Sequence, residues 1–311
     1  MTPVIEIAGL RKEYRSMRRG VQAAVDGLDL EVPAGGVFGF LGPNGSGKTT
    51  TIRCLLGLAR PTGGTCRLLG VATPAHIEQV ISRVGAIVES PALFPTMSGR
   101  RNLALLARTE GIGGRAVDEA LDRVGLTERA GDLVKTYSLG MRQRLGLAQA
   151  LLKDPEVLIL DEPANGLDPA GIKEIRELLR SLGDEGRTVF VSSHQLGEIQ
   201  HTCDRVAILT EGRCIASGTV EDVLRRGHRT TLRVAVPDLA AGMAVLHHAG
   251  ISARRNHTAL EVDLPAHEAA RVSEALGRQG IWITALHAEE ATLEDVFLAL
   301  TASPTLEEVV R

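Results

Sequence analysis

The sequence predicts an α/β protein: a domain on a largely parallel β-sheet with a helical insertion, followed by a smaller α+β domain of ferredoxin-like order. Three observations carry this prediction. Over residues 1–227, short apolar runs rich in β-branched residues alternate with segments of helical period, as strands and crossover helices do. Residues 98–152 break that alternation and read as almost wholly helical. Beyond residue 228 the order becomes strand, helix, strand, strand, helix, strand.

The elements follow in chain order. Candidate strands of the first domain span residues 4–10, 36–41, 84–88, 157–161, 188–192 and 205–209. The run Val157, Leu158, Ile159, Leu160 is apolar at every position, as a strand covered on both faces requires. In the helical stretch, Leu103 and Leu106, then Leu121 and Val124, stand at the spacing that keeps side chains on one helix face. Gly212 and Arg213 read as a turn and residues 220–226 as a helix. In the second domain, alternation from Thr231 to Val236 gives a strand that Pro237 ends, because proline has no N–H to donate to a ladder. A helix to residue 249, strands near 253–255 and 259–264, a helix over 267–279 and a strand over 282–287 complete it. The predicted domains are therefore 1–227 and 228–311.

Composition bounds the function. A chain of 311 residues with 44% hydrophobic and 23% charged residues can bury two cores. A net charge of -3 argues against a protein that coats nucleic acid, and no nucleic-acid partner is expected. No apolar run approaches the roughly 18 residues that span a bilayer, and no charged-then-apolar leader opens the chain. The expected location is cytosolic or peripheral. Cys54, Cys66, Cys203 and Cys214 form no CxxC pair, so disulfide and zinc readings are weak and the thiols are expected reduced and buried.

Two motifs carry chemistry. Gly42, Pro43, Asn44, Gly45, Ser46, Gly47, Lys48 and Thr49 satisfy GxxxxGK[ST], follow an apolar strand and open the helical segment Thr50 to Leu58. Glycines let backbone N–H groups wrap phosphates, the helix N-terminus adds positive potential, Lys48 adds a point charge, and Thr49 offers a hydroxyl to Mg2+. A Gly-rich turn that only joins strand to helix is the bland alternative. The strand 157–161 ends in Asp161 and Glu162, which a parallel sheet delivers to the edge beside the phosphate loop. Asp161 suits Mg2+, a hard cation that prefers oxygen, and Glu162 suits the polarisation of an attacking water. Two acids in a solvated turn would look the same in isolation.

With these motifs in place, the chain resembles the nucleotide-binding subunits of ABC transporters, because further elements stand in that family's order. The resemblance implies the P-loop NTPase fold of an ABC-type domain, with ATP and Mg2+ as ligands. It implies that Tyr14 stacks on adenine. The segment Tyr137, Ser138, Leu139, Gly140, Met141 resembles the signature that usually reads LSGGQ, with Ser138 and Gly140 matching and Leu139 and Met141 departing. Ser138 also suits a helix N-cap. Asn165, Gly166, Leu167, Asp168 and Pro169 resemble the loop through which paired subunits communicate, and Asp168-Pro169 equally suits a helix start. His194 matches the switch histidine that contacts the γ-phosphate. Glu89 stands where the family usually has a metal-touching Gln, and is expected to keep that role while adding charge.

Glu89, the Ser-Leu-Gly-Met signature and the segment 291–298 together resemble the bacitracin and daunorubicin resistance exporters. The family resemblance implies a head-to-tail homodimer that sandwiches ATP, and a separate transmembrane permease against which the chain works at the cytoplasmic face of the membrane. Two rivals remain at this level: a soluble ABC ATPase acting on ribosomes or DNA, and an immunity or sensor ATPase that binds a permease without powering it.

Overall fold

The computed structural model describes residues 3–16, 20–227, 231–289 and 292–302. The chain divides into two compact units, Met1–Val220 and Glu221–Arg311. The expected boundary at residue 228, and Ala291, lie outside the described residues.

Unit 1 opens with an antiparallel sheet that sequence reasoning reduced to one strand. It contains β1 (Ile5–Ser16), β2 (Gly20–Val32), β4 (Gly63–Leu68) and β5 (Val71–Thr73), in the order β2-β1-β4-β5. The first strand therefore joins this sheet rather than the parallel one. β2 has no strand-like apolar run because it buries one side of its second half only, with its first four residues exposed and Asp29 and Glu31 facing out.

Between β2 and β4 come β3 (Gly36–Leu41) and α1 (Lys48–Leu55). β3 is central to a second sheet with β6 (Val84–Ile87), β7 (Val157–Asp161), β8 (Thr188–Ser193), β9 (Arg205–Thr210) and β10 (Arg213–Thr219). The order is β10-β9-β3-β8-β7-β6, parallel throughout except for the β9–β10 hairpin. Phe40 and Phe190 lie at the centre of the core with ring centroids 5.1 Å apart. Each fully buried ring contributes about 1.5–3 kcal/mol.

The helical stretch resolves into α2 (Gly99–Thr109), α3 (Gly114–Arg123) and α4 (Leu139–Leu151). Ser98 caps α2, its hydroxyl accepting from Arg101 N at 3.3 Å. α5 (Pro169–Asp184) packs against β3 and β8, and the short α6 (Leu196–Gln200) follows β8 in the chain.

Unit 2 begins in α7 (Val220–Gly227) and holds β11 (Thr231–Ala235), α8 (Leu239–His248), β12 (Ala253–Asn256), β13 (Ala259–Val262), α9 (Ala269–Gly277), β14 (Ala285–Glu289) and α10 (Leu293–Ala302). Its antiparallel sheet runs β12-β13-β11-β14. Leu232, Val234, Leu260 and Val262 of the sheet meet Leu246, Val272 and Leu276 of α8 and α9 in one core. The last strand starts at Ala285 rather than at Trp282, whose ring is 74% exposed. Asp238 caps α8 by accepting from Ala240 N and Ala241 N.

Candidate functional site

Parallel register gathers the chemistry at one sheet edge. Leu41 of β3 pairs with Ser193 of β8, and Asp161 of β7 with Ser192 of β8, so three strands release their next residues side by side. Open parallel sheets bind ligands at this carboxyl edge.

The loop after β3 is shaped by glycine. Gly47 has φ 104, and a Cβ there would lie 2.5 Å from the Ala24 carbonyl oxygen. Gly42 has φ 154, with the Leu209 carbonyl oxygen 2.3 Å from where a Cβ would sit. The loop is braced from two sheets: Gly212 N donates to Ser46 O at 3.0 Å, and Asp26 N donates to Gly212 O at 3.0 Å. Arg213 Nη2 donates to Asp26 Oδ2 at 2.6 Å, and this hydrogen bond holds the Asp26 carboxyl below its usual range. Pro43, Asn44 and Gly45 form the outer turn, and a Cβ on Gly45 would meet nothing within 4 Å. α1 starts at Lys48, so Thr49 and Thr50 lie in its first turn rather than in the loop.

Lys48 is 5% exposed, and its Nζ donates to Gly42 O at 2.7 Å and Pro43 O at 3.2 Å. The same Nζ lies 3.3 Å from Glu162 Oε1. Glu162 Oε2 accepts from His194 Nδ1 at 2.7 Å, which leaves Nε2 of that ring for another partner. Glu162 has φ 51, a conformation few non-glycine residues adopt. Asp161 is 2% exposed and accepts from Thr49 Oγ1 at 2.8 Å and from Ser192 Oγ at 2.5 Å. Ser192 Oγ also accepts from Glu162 N at 3.0 Å, so one buried hydroxyl ties both acids. Sequence reasoning missed Ser192, because a serine ending an apolar strand has no distinguishing pattern.

The donor set suits a nucleotide phosphate with a hard cation. Ser46 Oγ is buried without a hydrogen-bond partner, an orphan that a phosphate oxygen would satisfy. Backbone N–H groups at the start of α1 and the buried Lys48 charge point the same way. Thr49 and Asp161 both carry oxygens of the kind a hard cation prefers, and they are already hydrogen-bonded to each other.

The other expected site residues have partners of their own. Tyr14 lies within β1 rather than after it, because the strand runs on to Ser16; its ring is 43% exposed, with Lys12 Nζ 4.8 Å from the centroid. Ser138 is the N-cap of α4 and accepts from Met141 N at 3.2 Å. Leu139 packs toward the Gly166–Leu167 turn: a Cβ on Gly166 would lie 3.2 Å from Leu139 Cδ2, and one on Gly140 3.8 Å from Leu167 Cδ2. Asp168 caps α5, accepting from Gly171 N at 3.0 Å. Glu89, 62% exposed with φ 66, is paired with Arg53 of α1, a partner sequence reasoning did not foresee.

The ABC transporter family model matches residues 25–165. Over 99% of both chains, the protein is 44% identical to the uncharacterized ABC transporter ATP-binding protein YhcH of Bacillus subtilis (strain 168). The chain belongs to the ABC transporter ATP-binding family. This ABC subunit is also 38% identical to the bacitracin transport ATP-binding protein BcrA of Bacillus licheniformis, over 98% of the chain and 100% of that protein. With the daunorubicin/doxorubicin resistance ATP-binding protein DrrA of Streptomyces peucetius it shares 36% identity, over 97% and 94%. Its fold matches that of cbiO1 from Clostridium perfringens, part of the transporter complex cbiONQ, with a TM-score of 0.64, 27% identity and coverage of 72% and 92%. A dimeric ATP-binding cassette, MJ0796 with ADP and Pi, shares the fold at a TM-score of 0.63, 23% identity and coverage of 70% and 98%. The ABC subunit binds and hydrolyses ATP to power transport. Among the described residues, no helix is long and apolar enough to cross a membrane.

Proposed function

We propose that this subunit powers export of a peptide antibiotic or drug through a separate membrane permease, using ATP sites shared between two copies of the chain. The observation that carries the reading is the Glu162 carboxylate, held between Lys48 Nζ at 3.3 Å and His194 Nδ1 at 2.7 Å. Glu162 serves as the base that polarises water, oriented by His194, whose Nε2 is left to meet the γ-phosphate. Lys48, now satisfied by loop carbonyls, transfers a donor to the phosphates, and Ser46 gains its missing acceptor. Thr49 and Asp161 hold Mg2+, which neutralises phosphate charge when bound, and Glu89 contributes an oxygen from the neighbouring strand end.

Tyr14 offers its exposed ring to adenine. Ser138 and Gly140 at the start of α4, with Asp168 at the start of α5, serve the ATP held by the other copy in a head-to-tail dimer. The dimeric cassette MJ0796 supports that arrangement by analogy of fold. The names of BcrA and DrrA support an antibiotic or drug as cargo. The chain then works peripherally, at the cytoplasmic face of the membrane, and nucleic acid has no part in the reading. Residues 228–311 form a ferredoxin-like accessory domain, supported by the βαββαβ order and the sheet order β12-β13-β11-β14.

Susceptibility of cells that carry the full chain tests the cargo. Replacing the wild-type gene by Lys48→Ala is expected to lower the inhibitory concentration of bacitracin or daunorubicin several-fold. Unchanged inhibitory concentrations of both compounds would refute an antibiotic-export role.

A further inference from the structure

Glu89 follows β6, whose Ile87 pairs with Leu160 of β7, so Glu89 leaves the sheet at the edge where Asp161 and Glu162 stand. Three carboxylates at one edge must receive a polyphosphate, and each is compensated differently. Lys48 lies beside Glu162, and the hydroxyls of Thr49 and Ser192 serve Asp161. Glu89 has its own cation, Arg53, from the last turn of α1. The helix that presents Lys48 and Thr49 to the phosphates thus also supplies the counter-charge for the third acid.

We propose that Arg53 is a positioning residue that neutralises Glu89 and so permits a carboxylate at a place in the ATP site where a neutral amide would add no charge. The inference rests on the reading of Glu89 as a group that faces the metal. Arg53 and Glu89 are 38% and 62% exposed, and exposed ion pairs contribute little to stability. The pair therefore acts on ligand charge rather than on the fold. Without Arg53, the free Glu89 carboxylate repels the incoming phosphates, and the repulsion is screened by salt. With an amide at 89 there is no charge to neutralise, and Arg53 becomes dispensable.

Equilibrium ATP binding, read as Kd, and steady-state ATP hydrolysis by the full chain at saturating Mg2+ test this with Arg53→Met, Arg53→Lys, Glu89→Gln and the double variant Arg53→Met/Glu89→Gln, Kd being expected to move with KM. Arg53→Met is expected to raise KM for ATP about fivefold at low salt with little change in kcat, the effect shrinking in about 0.5 M NaCl. Arg53→Lys restores most of the affinity, and the double variant returns KM to that of Glu89→Gln alone. An unchanged KM in Arg53→Met, or a double variant that stays impaired relative to Glu89→Gln, overturns the role of Arg53. Glu89→Ala tests the underlying reading separately: unaltered Mg2+ dependence and turnover there would remove Glu89 from the metal site, whatever Arg53 does.

Discussion

Ser46 is 3% exposed, and its hydroxyl has no hydrogen-bond partner, a state that costs about 1–3 kcal/mol in a folded protein. Such a cost is retained where a ligand repays it. Ser46→Ala is therefore expected to raise the unfolding free energy of the nucleotide-free chain, or leave it unchanged, while weakening ATP binding several-fold. Urea titrations with and without nucleotide measure both. At this scale the phosphate loop and the paired acids were legible because their chemistry lies in residue type and spacing. Ser192, which ties Asp161 to Glu162, and Arg53, which pairs with Glu89, were not legible. Serine and arginine occur everywhere, and only the register of β7 with β8, or the approach of the last turn of α1 to Glu89 beyond the end of β6, gives these two a role.

Among elements, the buried strands β3, β7 and β8 were legible as continuous apolar runs, whereas β2, β4 and β10 were not, since each presents exposed polar residues on one side, and β5 is only three residues long. The edge of the parallel sheet also carries a device invisible in the pattern. Arg83, just before β6, donates from Nε at 2.5 Å and from Nη2 at 2.6 Å to the carboxylate of Glu156, just before β7. The hydrogen bond from Arg83 holds the Glu156 carboxyl below its ordinary value of 4.5. A folded-state value below the unfolded one stabilises above the unfolded value, and the gain is lost as pH falls through the folded value. Arg83→Met is thus expected to lower the melting temperature slightly at pH 7, by an amount that shrinks as the pH falls below 4.5. Both side chains are about half exposed, so added salt should shrink the difference at pH 7.

For the whole molecule, the strands near residues 231–236, 253–255 and 259–264 were legible from alternation, and β11, β12 and β13 occupy them. The last strand was displaced by three residues at its start, because apolar Trp282 and Ile283 imitate a strand. Ser138 caps α4 and Asp168 caps α5 within the same copy, while Lys48, Asp161, Glu162 and His194 form one connected cluster elsewhere. On the proposed function, ATP joins the cluster of one copy to the α4 start of another, and Glu162 drives its hydrolysis. Light scattering of Glu162→Gln with ATP and Mg2+, alongside ATP turnover, tests both parts at once. Turnover is expected to fall by at least about a hundredfold, as loss of a general base does, together with formation of a stable dimer that dissociates when ATP is replaced by ADP. A variant that stays monomeric in ATP, or one that hydrolyses ATP at the wild-type rate, would contradict it.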